Sequence, residues 1–257
     1  MICLILGTSE GKKILSLMNE YTEDILVSTA TAYGGEILCD YKYSFLNTKP
    51  LDLDGLVAML KKYNVNLLVD ASHPYALEIT KNAKEACKLL SIVYLRYERP
   101  SVLEEYGNNE KITSIKNINE LKEKIQKLNI KGCILNTTGS RGLDKLLALK
   151  LDNRIVHRVL PSIEVMERCL SLSIKVEDII AIKGPIGYAL NVGFIKEYGA
   201  EAMLLKDSGI QGGTKEKLDA AIDSGVYAFV LERNAVDNKK VIHSEIEIAQ
   251  EVRKYFN

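Results

Sequence analysis

The chain opens with Met1-Ile2-Cys3-Leu4-Ile5-Leu6-Gly7-Thr8-Ser9-Glu10-Gly11, an apolar run that stops at a glycine and continues into hydroxyl side chains. A short apolar run bounded by a glycine is typical of a buried strand in a parallel sheet. The apolar residues that follow, at positions 14, 17, 18 and 21, recur with the spacing of one helix face. This stretch therefore predicts a strand that turns directly into a helix, the repeating unit of parallel α/β folds.

The same alternation of apolar runs and helical patterns continues to the end of the chain. Residues 37–45 fit either a strand or an irregular segment, and the remaining pattern is clearer. Strands are predicted at residues 2–6, 25–29, 66–70, 92–96, 111–115, 133–137, 154–160, 178–182, 201–205 and 226–231. We expect two Rossmann-like domains with doubly wound parallel sheets facing a central cleft. The predicted domains are residues 1–115 and 116–257, with the boundary between residues 100 and 131.

Composition limits the possible partners and the compartment. The 34 basic residues balance the 34 acidic ones, so no global field attracts nucleic acid or an anionic membrane. The apolar runs are shorter than the roughly 18 residues that span a bilayer, and the first residues lack the basic region of a signal peptide. We therefore expect a cytoplasmic protein that uses local clusters of cations to bind any anionic ligand. The sequence makes no prediction of its oligomeric state.

Neither the cysteines nor the histidines form a metal-binding pattern. The five cysteines are odd in number and widely spaced, with no CxxC pair, and are predicted to be reduced and mostly buried. The three histidines are dispersed along the chain, so we predict no metal site. His157 falls in a predicted strand and His243 near a turn, where core or solvated roles are expected.

The loops that follow the predicted strands are polar and rich in glycine, and in parallel α/β sheets ligands bind at these carboxyl ends. The loops concerned are Gly7-Thr8-Ser9-Glu10-Gly11, Asp70-Ala71-Ser72-His73-Pro74-Tyr75, Thr137-Thr138-Gly139-Ser140-Arg141-Gly142, Lys183-Gly184-Pro185 and Lys206-Asp207-Ser208-Gly209. The first and third offer backbone N–H groups at a helix start, a geometry suited to phosphate or carboxylate. Each also fits a capped strand-to-helix turn with no ligand.

Charged and titratable side chains in these loops suggest two kinds of chemistry. Arg141, Lys183 and Lys206 follow strands of the second half, so together they predict a local anion site. His73 and Asp70 in one loop suggest acid–base chemistry, although His73 also fits a helix cap.

The order of these motifs resembles the precorrin-6A reductase family of cobalamin biosynthesis. The first half carries Gly7-Thr8-Ser9-Glu10-Gly11, Asp70-Ala71-Ser72-His73-Pro74-Tyr75 and Leu95-Arg96-Tyr97-Glu98-Arg99-Pro100. The second half carries Thr138-Gly139-Ser140, Arg158-Val159-Leu160-Pro161, Lys183-Gly184-Pro185, Lys206-Asp207-Ser208-Gly209 and Gly212-Gly213-Thr214 with Lys217-Leu218. Each motif alone is weak, but their order along residues 2 to 233 is specific.

The resemblance implies hydride transfer from NADPH or NADH to the C18–C19 double bond of precorrin-6A, or of its cobalt-containing counterpart, giving the 6B form. It implies a polyanionic tetrapyrrole substrate and no metal belonging to the protein. By this resemblance the cofactor is expected at Thr138, Gly139, Ser140, Arg141, Gly184, Pro185, Ser208 and Gly209. The substrate is expected at Gly7, Thr8, Ser9, Ser72, Tyr75, Arg96, Arg99 and Lys183, with Lys215 as a further cation. Lys206 or His73 is the expected proton donor.

Several alternatives stay open from the sequence. The cofactor phosphates also fit Gly7-Thr8-Ser9, and neither NADP versus NAD nor metal-free versus cobalt-containing substrate is decided. A two-lobed tetrapyrrole synthase or lyase that needs no nucleotide is a second interpretation. A two-lobed binding protein for a small anion is a third.

Overall fold

A computed structural model of the chain describes residues 1–7, 10–233 and 241–255. The strands are β1 Ile2–Leu6, β2 Ile25–Ser28, β3 Phe45–Asn47, β4 Leu67–Ala71, β5 Val93–Tyr97, β6 Ile112–Ile115, β7 Cys133–Asn136, β8 Ile155–Val159, β9 Ile179–Ala181, β10 Ala200–Lys206, β11 Tyr227–Leu231 and β12 Val241–Ile242. The α-helices are α1 Glu10–Met18, α2 Ala32–Glu36, α3 Leu53–Lys62, α4 Leu77–Leu90, α5 Glu120–Lys127, α6 Leu143–Ala148, α7 Ile163–Ser171, α8 Tyr188–Glu197, α9 Thr214–Asp223 and α10 Glu245–Arg253.

These elements form two units, the first from residues 1–100 and 235–257 and the second from residues 101–234. This division differs from the predicted domains 1–115 and 116–257. Strand β6 belongs to the second sheet because it pairs with β11. Helix α10 belongs to the first unit because Ile248 and Val252 are buried in the core that also contains β1. The predicted cleft depends on how the two units are placed, and it stays a prediction.

The first unit is a parallel sheet of six strands in the order β3-β2-β1-β4-β5-β12. Strand β1 is buried throughout because its side chains alternate between two cores. Ile2, Leu4 and Leu6 pack with α1 and α10, whereas Cys3 and Ile5 pack with α3 and α4. Helices therefore cover both faces, as the apolar run at the start of the chain predicts.

The second unit repeats this architecture with the strand order β9-β8-β7-β10-β11-β6, again fully parallel. One face packs on α8 and α9 through a core that includes Val156, Met203 and Leu218. The opposite face packs on α5 and α6 through a core that includes Ile134 and Phe229. The prediction of two doubly wound parallel sheets is confirmed.

Two short edge strands, β3 and β12, were not predicted from the sequence. The uncertain stretch at residues 37–45 contributes only its last residue to β3, which pairs with β2. Strand β12 has two residues and pairs with Arg96 and Tyr97 of β5. Both strands lie at the ends of the first sheet, where few residues need to be apolar.

Across the described residues, no helix combines the length and the apolar character that a membrane span needs. Four cysteines are buried and Cys39 is exposed, and all five are free thiols. Burial raises the pKa of the Cys87 thiol to about 12, which keeps it protonated.

Candidate functional site

The loops of interest lie at the point in each sheet where the winding reverses direction. Strands β1 and β4 are neighbours in the first sheet, and β7 and β10 are neighbours in the second. The chain leaves these pairs in opposite directions along the sheet, which opens the crevice where α/β proteins bind ligands. The structure thus places the predicted loops after β1, β4, β7 and β10 at these two positions, whereas the predicted loop at residues 183–185 follows the edge strand β9.

In the first unit, the loops after β1 and β4 touch each other. A Cβ at Gly7 would lie 3.0 Å from the backbone nitrogen of His73. The Nδ1 atom of His73 accepts a hydrogen bond from the backbone N–H of Tyr75 at 3.2 Å. The neutral ring therefore carries its proton on Nε2. Thr8 and Ser9, predicted to bind substrate, lie outside the described residues.

Arg96 is buried in an ion-pair network beneath this loop. Its Nη1 lies 2.7 Å from Oδ1 of Asp70 and donates to Oγ of Ser72 at 3.0 Å, while its Nε pairs with Glu98 at 3.0 Å. Arg96 is 1% exposed and Asp70 is fully buried. Tyr94 donates to the other oxygen of Asp70, and burial raises the pKa of that hydroxyl. This network holds Ser72 in place.

Arg99 is buried as well, and its partner is the first residue of α1. Its Nε lies 2.8 Å from Oε1 of Glu10, and both side chains are at most 5% exposed. The sequence motifs predict direct substrate contacts for Arg96 and Arg99. The structure instead engages both guanidinium groups with buried carboxylates.

In the second unit, the loop after β7 is organised by a buried amide. Oδ1 of Asn136 accepts from the backbone N–H of Thr138 at 3.1 Å and from its hydroxyl at 2.8 Å, which forms an Asx turn. The amide nitrogen of Asn136 contacts Nδ1 of His157 at 3.1 Å. Gly139 follows with φ of +82°, and a Cβ there would meet no atom within 4 Å. The backbone is therefore open to a ligand at Gly139, and Arg141 is exposed two residues later.

The loop after β10 is fixed by two polar contacts. Asp207 is buried and its Oδ2 lies 2.9 Å from Nε of Arg233. The hydroxyl of Thr214, at the start of α9, accepts from the backbone N–H of Ser208 at 2.9 Å. Gly209 adopts φ of +71°, a conformation that favours glycine. Lys206, at the end of β10, is half-buried, and burial followed by the charge of Arg141 lowers its pKa.

The loop after β9 packs against the turn that precedes α9. Lys183, Gly184 and Pro185 are exposed. A Cβ at Gly213, which has φ of +68°, would lie 3.0 Å from Cβ of Pro185. The segments 183–185 and 206–213, predicted separately as parts of one site, are therefore adjacent. The remaining predicted cation, Lys215, is exposed and pairs with Asp219 at 3.3 Å.

Two buried cations of the second unit were quoted within the sequence motifs, but no role was predicted for them. Arg158 lies in β8, and its Nη1 donates to Oδ1 of Asn191 at 3.0 Å. Lys217 lies in α9, and its Nζ donates to the carbonyl of Gly212 at 3.1 Å. The signal was present in the spacing, because Lys217 shares a helix face with Thr214, Leu218 and Ala221, all buried.

No group of three or more His, Cys, Asp or Glu side chains suited to a metal ion occurs within residues 1–7, 10–233 and 241–255. The arrangement instead combines open glycine-rich backbone with clustered cations at strand ends. It is suited to anionic organic ligands.

Comparison with known proteins identifies the same relationship that the motifs suggested. Residues 1–253 match the family described as precorrin-6x reductase CbiJ/CobK. The cobalt-precorrin-6A reductase of Methanocaldococcus jannaschii is 35% identical over 227 residues, 88% of this chain and 86% of that protein. The protein of the same name from Salmonella typhimurium is 28% identical over 256 residues, 99% of this chain and 96% of the relative. A solved structure described as CobK precorrin-6A reductase superposes with a TM-score of 0.76 at 16% identity, covering 99% of this chain and 96% of that chain.

Proposed function

The chain belongs to the precorrin-6x reductase CbiJ/CobK family, and from this membership we infer that it reduces the macrocycle of precorrin-6A or cobalt-precorrin-6A to the 6B form, at the expense of NADPH or NADH. The observation that carries the inference is the match over residues 1–253, nearly the whole chain. The enzyme is an oxidoreductase acting on a CH–CH group. We propose that it works in the cytoplasm, where reduced nicotinamide is available.

The second unit has features that fit a dinucleotide. The Asx turn at Asn136 and Thr138 leaves the backbone around Gly139 open. Arg141 is exposed two residues after Gly139, and its guanidinium can donate two parallel hydrogen bonds to a phosphate. We propose that Thr138, Gly139, Ser140 and Arg141 bind the cofactor phosphates, with Gly184, Pro185, Ser208 and Gly209 lining the remainder. When bound, the dihydronicotinamide supplies the hydride.

The substrate contacts are proposed mainly for the first unit. The acetate and propionate groups of the tetrapyrrole require hydrogen-bond donors and cations. We propose Gly7, Thr8, Ser9 and Tyr75 as contacts there, and Lys183 as a cation of the second unit. Ser72, Arg96 and Arg99 are assigned a positioning role, because Ser72 accepts from buried Arg96 and both arginines pair with buried carboxylates.

Reduction of a conjugated double bond requires a proton as well as a hydride. Lys206 is our proposed donor, because it ends β10 shortly before Ser208 and Gly209, and β10 is the neighbour of β7, whose loop is assigned to the cofactor phosphates. Its lowered pKa makes the ammonium a stronger acid than an ordinary lysine. His73 is the second candidate, because its Nδ1 accepts from the backbone of Tyr75 and the neutral ring then carries its proton on Nε2.

Binding of the reduced nicotinamide is the first test of this function. The chain has no tryptophan, so the fluorescence of NADPH or NADH reports binding without a tryptophan background. We expect saturable binding of at least one of the two, weakened in Arg141→Gln and unchanged in Lys145→Gln, which removes an exposed charge from neighbouring α6. Absence of binding by both nucleotides would contradict the reductase and favour the nucleotide-independent synthase or lyase.

A further inference from the structure

Arg158 and Lys217 are two charged groups buried close together, and their hydrogen-bond partners within the described part of the chain are neutral. Arg158 is 7% exposed and Lys217 is 4% exposed. Their partners are the amide oxygen of Asn191 and the carbonyl of Gly212. Among the described residues, no carboxylate oxygen lies within 4.0 Å of either group. The other deeply buried arginines of this chain, Arg96 and Arg99, each have such a carboxylate.

Burial of an uncompensated charge is costly, and proteins normally pair such a group or let it become neutral. The pKa of Lys217 is lowered to about 7, first by burial and then by the charge of Arg158; Glu216 opposes the shift and Lys206 adds to it. Burial also lowers the pKa of Arg158 to about 10. Two neighbouring cations that destabilise each other's charge need an anion within ion-pair distance, and the described residues do not supply one.

We propose that Arg158 and Lys217 form a buried subsite that binds one oxyanion of a ligand, either a phosphate of the dinucleotide or a carboxylate of the tetrapyrrole. The identity of these ligands rests on the proposed function, whereas the need for an anion rests on the two buried cations.

The surrounding residues orient both donors towards the same loops. Asn191 donates to the carbonyls of Ile186 and Gly187, and this contact turns its oxygen towards Arg158. Gly212, the acceptor for Lys217, belongs to the turn that packs against Pro185 through Gly213. The subsite thus lies beneath the loops after β9 and β10, which carry four of the predicted cofactor contacts.

The subsite couples anion binding to proton uptake. The charged groups that act on Lys217 are Arg158 of β8, Lys206 of β10 and Glu216 of α9. An incoming oxyanion adds an opposite charge and raises the pKa of Lys217. Above pH 7 the free enzyme holds this amine largely neutral, so binding there draws a proton from solution.

Isothermal titration calorimetry tests this coupling at about pH 8, in buffers that differ in ionisation enthalpy. NADPH, NADH, pyrophosphate and the tetrapyrrole are titrated separately into the wild-type protein and its variants. For at least one ligand we expect uptake of about half a proton or more, and a loss of about 10-fold or more in affinity in Lys217→Met and Arg158→Met. Lys217→Arg keeps a permanent charge, so it should retain binding but lose the proton uptake.

Lys196→Met is the matched control, because Lys196 is an exposed cation in the last turn of α8, the helix that carries Asn191. It should bind and take up protons as the wild type does. A loss confined to NADPH assigns the subsite to the 2′-phosphate, a loss for both nucleotides and pyrophosphate assigns it to the diphosphate, and a loss for the tetrapyrrole alone assigns it to a carboxylate.

The subsite is overturned if wild type, Lys217→Met and Arg158→Met, each folded by circular dichroism, bind every ligand with equal affinity and equal proton uptake. Failure of the proposed function looks different. In that case neither nucleotide binds, while pyrophosphate still binds in a manner that depends on Lys217 and so upholds the subsite.

Discussion

Nη1 of Arg96 lies 2.7 Å from Oδ1 of Asp70, and neither side chain is accessible to solvent. The same guanidinium reaches Ser72 and Glu98, while Asp70 also accepts from the backbone of Ser72. The loop that carries His73 and Tyr75 is therefore attached to the sheet by a buried ion pair. The Arg96–Asp70 pair fixes the position of this loop. The consequences of breaking the pair can be measured.

Removal of Arg96 should destabilise the first unit strongly. Arg96→Met leaves Asp70 buried without its cation, a loss expected to cost about 3–5 kcal/mol of unfolding free energy. Urea denaturation followed by circular dichroism measures the change. The double variant Asp70→Asn, Arg96→Met should be less destabilised than the single one, because the fully buried charge of Asp70 is removed and only the partly exposed Glu98 loses its cation. As a control, Lys42→Met breaks an exposed pair with Glu23 and should leave stability almost unaltered. Equal stability of Arg96→Met and wild type would contradict the role of the pair.

Arg96 also illustrates what the sequence could and could not predict. The parallel sheets followed from periodicity, since Ile2–Leu6 and its counterparts have apolar side chains on both faces. The rule that ligands bind at strand ends then located the loops after β1, β4, β7 and β10. This rule does not distinguish a cation that binds a ligand from a cation that pairs with a nearby carboxylate of the protein. Asp70 is 26 positions from Arg96, and only the parallel pairing of β4 and β5 makes them neighbours.

Lys217 was missed for the complementary reason. A lysine in a helix is normally assigned to the solvated face, although its spacing from Thr214 and Ala221 places it on the buried one. The division after Pro100 lies at the edge of the predicted interval of residues 100 to 131, and the units differ from the domains 1–115 and 116–257 because strand pairing decides the unit to which a strand belongs. The sequence around β6 does not reveal that β11 is its partner.

Gly139 offers a test of the proposed phosphate loop. Gly139→Ala places a side chain at φ of +82° in open space, so it strains the turn and occupies the approach to the backbone. We expect the affinity for the nicotinamide nucleotide to fall by about 10-fold or more, because hydrogen bonds from the loop backbone to the phosphates are lost. Gly225→Ala is the matched control, since Gly225 has φ of +69° and is likewise free of neighbours. It should lose a similar stability of about 1 kcal/mol but bind the nucleotide normally. Equal affinity of both variants and wild type would remove Gly139 from the site.

The pH dependence of kcat tests Lys206 as the proton donor. The donor must be protonated, so kcat should fall as pH rises through its pKa. The charge of Arg141 contributes to lowering that pKa. Arg141→Gln removes a positive neighbour, so the pKa of Lys206 should rise and the alkaline fall should move to higher pH. Measurements at saturating nucleotide separate this effect from weaker binding, and Lys145→Gln should leave the profile in place. An alkaline limb that stays unmoved in Arg141→Gln would assign the proton to another group, with His73→Gln the next variant to examine.

His157 should make the second unit sensitive to acid. Burial lowers its pKa from 6.5 to about 4. Between these two values the unfolded chain binds a proton that the folded protein does not, so stability is lost as pH falls from 6.5 to 4. The loss from this residue amounts to about 3 kcal/mol at most. His157→Gln cannot titrate, so its stability in urea should decline less over this range than that of the wild type. An identical pH slope in both proteins would contradict a buried neutral imidazole.

Transfer of deuterium is the most direct measurement of the proposed reaction. Under anaerobic conditions the protein is incubated with precorrin-6A or its cobalt form and with NADPH or NADH that carries deuterium in place of both hydrogens at C4 of the ring. Mass spectrometry then follows the macrocycle while absorbance follows the nucleotide. We expect one nucleotide to be oxidised for each macrocycle reduced, with one deuterium in the product, and both changes to be slowed in Lys206→Met. A macrocycle that stays unreduced, or a reduced product without deuterium, would contradict hydride transfer by this protein.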